Sequence, residues 1–212
     1  MSSGNTTDAG PDLTDWLVGH KTMRAEYGRL AEVAATVDPA ARERAEAVEA
    51  HVAFMMRYLR HYHEPENQDI WPALRMADPT VAPLLDRLEA EHAVIDLLAE
   101  QIGDTSRSLA QRAPILRELQ AVLHDHLAQE ERQTVPLMRR HLTHAWFART
   151  HERVMERWDR DDLPYLLGIS ITYATRAEAD RLVHGLPRRL RLRWRLSMCH
   201  AFDRRMRQVY GP

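Results

Sequence analysis

The chain has 212 residues, of which 44% are hydrophobic and 28% are charged, and this balance is typical of a globular chain with one sizeable core. Its single cysteine, Cys199, excludes an internal disulfide and a thiolate metal cage, so any metal must be held by imidazole and oxygen. The N-terminal residues show no positively charged, apolar leader, and the longest uncharged stretch, LPYLLGISITY, falls short of the ~20 residues that span a bilayer. We therefore expect a cytoplasmic protein with no membrane span.

Apolar and bulky residues recur at spacings of three and four between residues 13 and 37, a pattern that predicts one amphipathic helix. A second helix is predicted after Asp38-Pro39, where an N-cap residue precedes a proline at the first helical position. Its apolar stripe continues as far as Glu66.

A third helix is predicted to start in the same way at Asp78-Pro79 and to end at Gly103, a common stop residue. A fourth follows Pro114, and the stretch TVPLM indicates a bend before His141. Four helices joined by short connections predict an all-α fold, an up-down-up-down four-helix bundle with a C-terminal helical extension. The predicted organisation is a flexible tail (residues 1–11), the bundle (residues 12–142) and the extension (residues 143–212).

Charge also divides the chain into two parts. Residues 1–140 carry 15 basic and 23 acidic side chains, whereas residues 141–212 carry 14 and 8, giving net charges of −8 and +6. An acidic bundle beside an arginine-rich extension favours docking of the extension on the bundle, with arginine stems covering apolar surface. A surface for nucleic acid, membrane or a partner is the weaker interpretation, and we expect no nucleic-acid partner.

Ionisable residues replace apolar ones in each of the four stripes. His20 interrupts the first, Glu66 the second, His92 the third, and His126 with Glu130 the fourth. Burying such groups unpaired would cost several kcal/mol each, whereas coordinating a cation satisfies imidazoles and carboxylates together. His126 and Glu130, at i and i+4, share one helical face and lie about 6 Å apart along the axis, so both can reach one metal cluster.

The donor set suggests which metal is bound. Several imidazoles with two or more carboxylates that can bridge suit two iron or manganese ions better than one zinc ion. Asp96, four residues after His92, is either an additional ligand or a solvated flank. Zinc-peptidase chemistry is not indicated, because the stretch HERVM carries Met155 where a second histidine is needed.

Three motifs, taken in order, resemble the hemerythrin-like, or HHE cation-binding, proteins. WLVGHKTMRAEY resembles the first-helix histidine segment of that family, EHAVIDLL the third-helix segment, and HLAQEERQTVPLM the fourth-helix His-x-x-x-Glu-Glu segment. The resemblance spans roughly residues 12–141 and implies a four-helix bundle around two non-haem iron ions bridged by oxide and carboxylate, with manganese as the alternative metal. It implies that His20, His92, His126 and Glu130 are ligands and that Glu66 and Glu130 are the carboxylate bridges.

The second helix departs from the family pattern. HYHEPENQDIWP resembles the family motif His-His-x-x-Glu followed by an aromatic-proline pair, but the register that gives Glu66 its place puts Tyr62 where the ligand histidine belongs. Our favoured interpretation is that the Tyr62 phenolate coordinates iron, at i, i+4 spacing from Glu66. His63 can instead reach the core face, and a kink or bulge at Pro65 can turn His61 inward.

The resemblance implies a di-iron protein that interacts with O2, peroxide or NO. Phenolate is a hard anionic donor that favours Fe(III), so tyrosine ligation makes peroxide or redox chemistry our preferred hypothesis. The alternative is an oxygen-binding or iron- and oxygen-sensing protein that acts through a partner without catalysis. The expected ligand is a small diatomic or peroxidic molecule, and the chain is expected to be a monomer or a homodimer.

Overall fold

A computed structural model describes residues 10–211. Within this range nearly every residue is helical or lies in a short turn, and no strand occurs, which confirms the predicted all-α fold. Residues 1–9 of the predicted N-terminal tail lie outside the described part of the chain. The α-helices are α1 (Thr14–Thr36), α2 (Arg42–Pro65), α3 (Trp71–Ala77), α4 (Ala82–Gly103), α5 (Leu109–His141), α6 (His144–Glu156), α7 (Leu163–Tyr173), α8 (Arg176–Gly185), α9 (Arg188–Arg193) and α10 (Cys199–Tyr210).

Helices α1, α2, α4 and α5 form the bundle. Helix α1 packs against α2 and α5, and α4 packs against the same two helices, which is the neighbour pattern of an up-down-up-down bundle. Their buried apolar side chains form two separate clusters along the bundle axis. The larger includes Met23, Leu59, Ile95 and Leu127, and the smaller includes Trp16, Ile70, Leu88 and Met138.

Helix α5 begins earlier than the start predicted after Pro114. Ser108 accepts a hydrogen bond from the backbone N–H of Gln111, and the Gln111 side chain accepts one from the backbone N–H of Ser108, so the two form a capping box. Pro114 therefore lies in the second turn of α5, and the helix continues through Pro136 to His141. Strong capping outweighs the single backbone hydrogen bond that Pro114 cannot donate.

The second helix continues beyond Pro65 through a π-turn, Glu66–Ile70, into α3. In this turn the N–H of Trp71 bonds to the carbonyl of Glu66, five residues back, so the turn carries one more residue than an α-helical turn. Proline lacks the N–H that a regular helix needs, so the ladder of hydrogen bonds is already weakened where the π-turn begins. Helix α2 and this turn carry the candidate ligands of the second helix, which are His61, Tyr62, His63 and Glu66.

Helices α6–α10 form the C-terminal extension and contact the bundle. Helix α7 packs on α1, and α10 packs on α2 and α7. The buried carboxylate of Glu26 accepts hydrogen bonds from His51 in the bundle and from Tyr173 and Tyr210 in the extension. Arg57 forms a bidentate ion pair with Asp162 at 2.8 Å. The boundaries at residues 12–142 and 143–212 stay a prediction.

None of the helices between residues 10 and 211 has the combination of length and apolar character that crossing a bilayer requires.

Candidate metal centre

A layer of buried polar side chains separates the two apolar clusters of the bundle. Every bundle helix contributes to this layer at the point where its stripe passes from one cluster to the other. The side chains form two groups, each with ligand atoms within 4.8 Å of one another. One group is His63, His92 and His126, and the other is His20, Glu66 and Glu130.

The first group consists of three imidazoles. The Nε2 atoms of His92 and His126 lie 3.1 Å apart, and the rings of His63 and His92 stack with centroids 4.0 Å apart. All three residues are at most 3% exposed. Three imidazole nitrogens that converge in a water-poor core are a typical transition-metal donor set.

The second group joins one imidazole to two carboxylates, and these carboxylates also face the first group. Glu130 Oε2 lies 3.6 Å from Nε2 of His20 and 3.7 Å from Nε2 of His126. Glu66 Oε2 lies 3.6 Å from Nε2 of His92. Both carboxylates therefore lie between the two groups, where a bridging ligand of two metal ions has to be.

The four histidines share one orientation, with Nδ1 directed outward to an oxygen and Nε2 directed inward. A carboxylate acceptor requires a proton on Nδ1, which leaves the inward Nε2 as a lone pair. The Nδ1 contacts are His20 to Glu131 at 3.0 Å, His63 to Asp96 at 3.2 Å, His92 to Asn67 at 2.8 Å and His126 to Glu91 at 2.7 Å.

The residues of the layer fit a bound cation. Within the described residues, Nε2 of His20, Nε2 of His63 and both carboxylate oxygens of Glu130 are buried and have no hydrogen-bond partner. Such groups are costly in a protein core unless a cation satisfies them. Two imidazole lone pairs facing each other at 3.1 Å add repulsion that a cation between them removes.

Burial and like charge shift the pKa values in this layer. Burial, together with the neighbouring histidines, holds the pKa of His92 far below its ordinary value of 6.5, and burial also lowers the pKa of His126. Burial and then the charge of Glu66 raise the pKa of Glu130 well above 4.5. The imidazoles of His92 and His126 are therefore kept neutral, which is the form that binds a metal.

The predicted second-helix ligands occupy three different environments. His63 belongs to the imidazole group, whereas the ring of His61 stacks on Trp158 at 4.0 Å. The Tyr62 hydroxyl donates to the backbone carbonyl of Asp15 at 3.3 Å, and its ring lies 6.3 Å from that of His20. Burial raises the pKa of Tyr62 well above 10, which favours the neutral phenol. Asp96 is 55% exposed and reaches only the outward nitrogen of His63.

Three contacts to the layer were not predicted. The indole nitrogen of Trp16 donates to Glu66 Oε1 at 2.6 Å, and Asn67 and Glu91 accept from the outward nitrogens of His92 and His126. Each of these contacts joins two different helical segments. Spacing within one segment therefore carries no signal for them.

The family comparison agrees with this arrangement. The family model described as the hemerythrin HHE cation binding domain matches residues 12–138. The chain belongs to the hemerythrin HHE family. The resemblance inferred from the motifs is thereby confirmed, and the family description indicates a cation-binding domain, in agreement with the two groups of histidines and glutamates in the layer. No curated protein and no solved structure matches the chain.

Proposed function

We propose that this hemerythrin-family chain binds two iron ions in the buried layer and reacts there with a small oxygen species. Peroxide is the preferred reactant because an oxidisable phenol, Tyr62, lies next to the layer, with its ring 6.3 Å from that of His20. The observation that carries the proposal is the pair of carboxylates, Glu66 and Glu130, between an imidazole group and a second histidine. Two carboxylates shared by two donor groups suit two hard or borderline cations better than one.

The ligand set we propose is His63, His92 and His126 for one ion and His20 for the other, with Glu66 and Glu130 bridging. His63 is preferred to Tyr62 because its unpartnered Nε2 lies among the other ligand nitrogens, whereas the Tyr62 hydroxyl is engaged with Asp15. Manganese remains the alternative metal, since it takes the same imidazole and carboxylate ligands.

The proposed ligand set gives the two ions different numbers of imidazoles. One ion would have three imidazoles and the other would have one, while the two carboxylates would be shared by both. Coordination left free by the protein is therefore greater on the His20 side, where an external ligand would bind next to Trp16 and Tyr62.

Iron, when bound, supplies reversible one-electron chemistry and affinity for small oxygen species. The chain supplies the surroundings. The proposed ligand residues are at most 3% exposed, so the layer excludes bulk water and admits only a small molecule. The outward carboxylates Glu91 and Glu131 hold His126 and His20 in the orientation that directs Nε2 inward. Burial would raise the pKa of Glu131, but hydrogen bonds from His20 and Arg24 lower it to about 2, so it stays an acceptor.

The test is iron content and peroxide consumption on the same sample. The protein is reconstituted with Fe(II), desalted and assayed for iron per chain, and peroxide loss is then followed against the zinc-loaded chain, which is redox-inactive. We expect about two irons per chain, as a carboxylate-bridged bundle site predicts, and peroxide loss with iron only. A chain that retains no iron would refute the metal assignment, and two irons without peroxide loss would leave reversible binding of O2 or NO as the function.

A further inference from the structure

Oxidisable aromatic rings form a continuous line from the candidate metal centre to the protein surface. The ring of Tyr62 lies 6.3 Å from that of His20, and Tyr58 stacks on Tyr62 with centroids 5.1 Å apart. Trp158, in the turn after α6, lies 6.2 Å from Tyr58. Each step is within the range of direct aromatic contact.

The two phenols are also joined through their hydroxyls. The Tyr58 hydroxyl donates to the Tyr62 oxygen at 3.4 Å, and Tyr62 donates onward to the carbonyl of Asp15. Tyr58 is fully buried in the bundle core. The pair therefore combines ring stacking with a chain of hydroxyl groups at the His20 end of the layer.

Gly19 makes room for this arrangement next to the ligand His20. A Cβ atom on Gly19 would lie 1.9 Å from the Tyr62 hydroxyl oxygen, closer than any real contact. The phenol thus occupies space that an ordinary residue of α1 would fill. This close approach brings an oxidisable side chain against the helix that carries His20.

The outer end of the line lies just below the surface. Trp158 is 7% exposed, and the half-buried ring of His61 stacks on it at 4.0 Å. By contrast, the aromatic contacts of Trp16, which also lies against His20, lead to no further ring among the described residues. The Tyr62 line thus gives a path of contacting rings from the His20 side of the layer toward the surface.

We propose that Tyr62, Tyr58 and Trp158 form an electron relay that supplies the metal centre from the surface. Electron tunnelling falls steeply with distance, so a series of short steps between oxidisable rings is faster than one long step across the bundle. The proposal rests on the proposed function, because it needs an oxidant at the iron site, and that oxidant is hydrogen peroxide.

The chemistry balances for the two phenols. Cleavage of the O–O bond of one hydrogen peroxide takes up two electrons and two protons and gives two water molecules. Tyr62 and Tyr58 each lose one electron and their phenolic proton, and each becomes a neutral phenoxyl radical. A one-electron donor of the ascorbate or thiol class at the surface then reduces them through Trp158, and each phenol regains a proton from water.

The experiment detects the radical directly rather than turnover. Iron-loaded protein carrying ring-deuterated tyrosine is mixed with peroxide, frozen within milliseconds and examined by electron paramagnetic resonance, and tryptic peptides are then analysed for oxidised tyrosine and tryptophan. We expect a tyrosyl signal whose hyperfine pattern changes with the label, and oxidation products at Tyr58, Tyr62 and Trp158. Zinc-loaded protein should give neither.

Three variants and one control decide the path. Tyr62→Phe should abolish the signal while iron per chain is unchanged, and Tyr58→Phe should keep a radical on Tyr62. Trp158→Phe should slow the decay of the radical when ascorbate is present. Tyr27→Phe is the control, because Tyr27 is as buried as Tyr58 but its hydroxyl bonds to the carbonyl of Met55 outside the line of rings.

The outcomes separate the relay from the proposed function. Peroxide loss with two irons but no organic radical and no oxidised peptide would overturn the relay alone. A signal that is unchanged in Tyr62→Phe would also overturn it. If the radical decays at the same rate with ascorbate in Trp158→Phe as in the unmodified protein, the role of Trp158 in the relay is overturned. A chain that binds no iron would overturn both proposals together.

Discussion

The indole N–H of Trp16 donates to Oε1 of Glu66 at 2.6 Å, so one proposed bridging carboxylate is held by a side chain from a different helix. The same indole lies against His20, with ring centroids 3.9 Å apart. A single tryptophan thus fixes two proposed ligands at once. The other oxygen of Glu66 is left to face Nε2 of His92.

The Trp16 contact predicts a role in metal affinity. Trp16→Phe keeps an aromatic ring in the smaller apolar cluster but removes the hydrogen bond to Glu66, so we expect iron affinity to fall on the order of 10-fold to 100-fold, the usual effect of losing a partner that orients a ligand. Competition with a chelator measures the change. Trp194→Phe, in the C-terminal extension, is the matched control and should leave iron affinity unchanged.

The metal ligand of the second helix can be identified by three substitutions in α2. We expect His63→Ala to lower iron from about two per chain toward one, because it removes an imidazole from the three-histidine group. Tyr62→Phe and His61→Ala should keep both irons, since the hydroxyl of Tyr62 bonds to Asp15 and the ring of His61 stacks on Trp158. Metal analysis and the visible spectrum are the measurements. A phenolate-to-iron charge-transfer band in the unmodified protein would contradict this assignment and favour Tyr62.

Any side chain added at Gly19 in α1 is expected to clash with the phenol of Tyr62. Gly19→Ala places a Cβ atom 1.9 Å from the Tyr62 oxygen, so the phenol or α1 must move, and we expect a loss of about 1–3 kcal/mol in the free energy of unfolding from overpacking. Gly103→Ala is the control, because nothing lies within 4 Å of an added Cβ there. Urea denaturation should show no loss for Gly103→Ala. Equal stability of the two variants would show that Tyr62 moves away at no cost.

Because the buried carboxylate of Glu26 links the bundle to the extension, we expect the free energy of unfolding to depend on pH. Burial would raise the pKa of Glu26, but hydrogen bonds from His51, Tyr173 and Tyr210 outweigh it and hold the pKa below the ordinary value of 4.5. A lowered pKa means that the unfolded chain binds more protons in acid. The stabilisation is therefore complete above about pH 4.5 and is lost as the pH falls through the lower folded value.

Glu26→Gln tests this directly. We expect it to cost about 2–4 kcal/mol at neutral pH, because it weakens charge-assisted hydrogen bonds in a buried site. The difference from the unmodified chain should shrink as the solution is acidified, and urea midpoints over a series of pH values measure it. Glu32→Gln on the exposed face of α1 is the matched control, expected within about 0.5 kcal/mol at every pH. A constant difference in acid would contradict the role of the Glu26 charge.

Helical periodicity was sufficient to predict the bundle and the layer within it. His20, Glu66, His92, His126 and Glu130 each interrupt an apolar stripe, and the structure brings all five into the two adjacent groups. The reason is that a side chain on the inward stripe of a helix must face the same core as its apolar neighbours. The start of α5 was predicted too late, after Pro114, although Ser108 and Gln111 have the capping-box spacing that marks the true start.

Sequence spacing could not choose between Tyr62 and His63. Counted back from Glu66, the two residues lie at i−4 and i−3, and both positions share its helical face. The rotation of the helix about its own axis decides which side chain enters the layer, and that rotation depends on the π-turn and on packing against α1 and α4. Contacts between helices, such as Trp16 with Glu66, are beyond any single-helix pattern for the same reason.

The π-turn at Glu66–Ile70 places one extra residue in a single helical turn between α2 and α3. Removing one residue from this turn would leave one α-helical turn in its place, so His63 in α2 and the buried Trp71 and Leu74 in α3 would still face the core together. Removing one residue from the regular part of α2 would instead rotate everything that follows by about 100°. Among descendants of this chain, single-residue deletions should therefore be tolerated within the π-turn and not within α2.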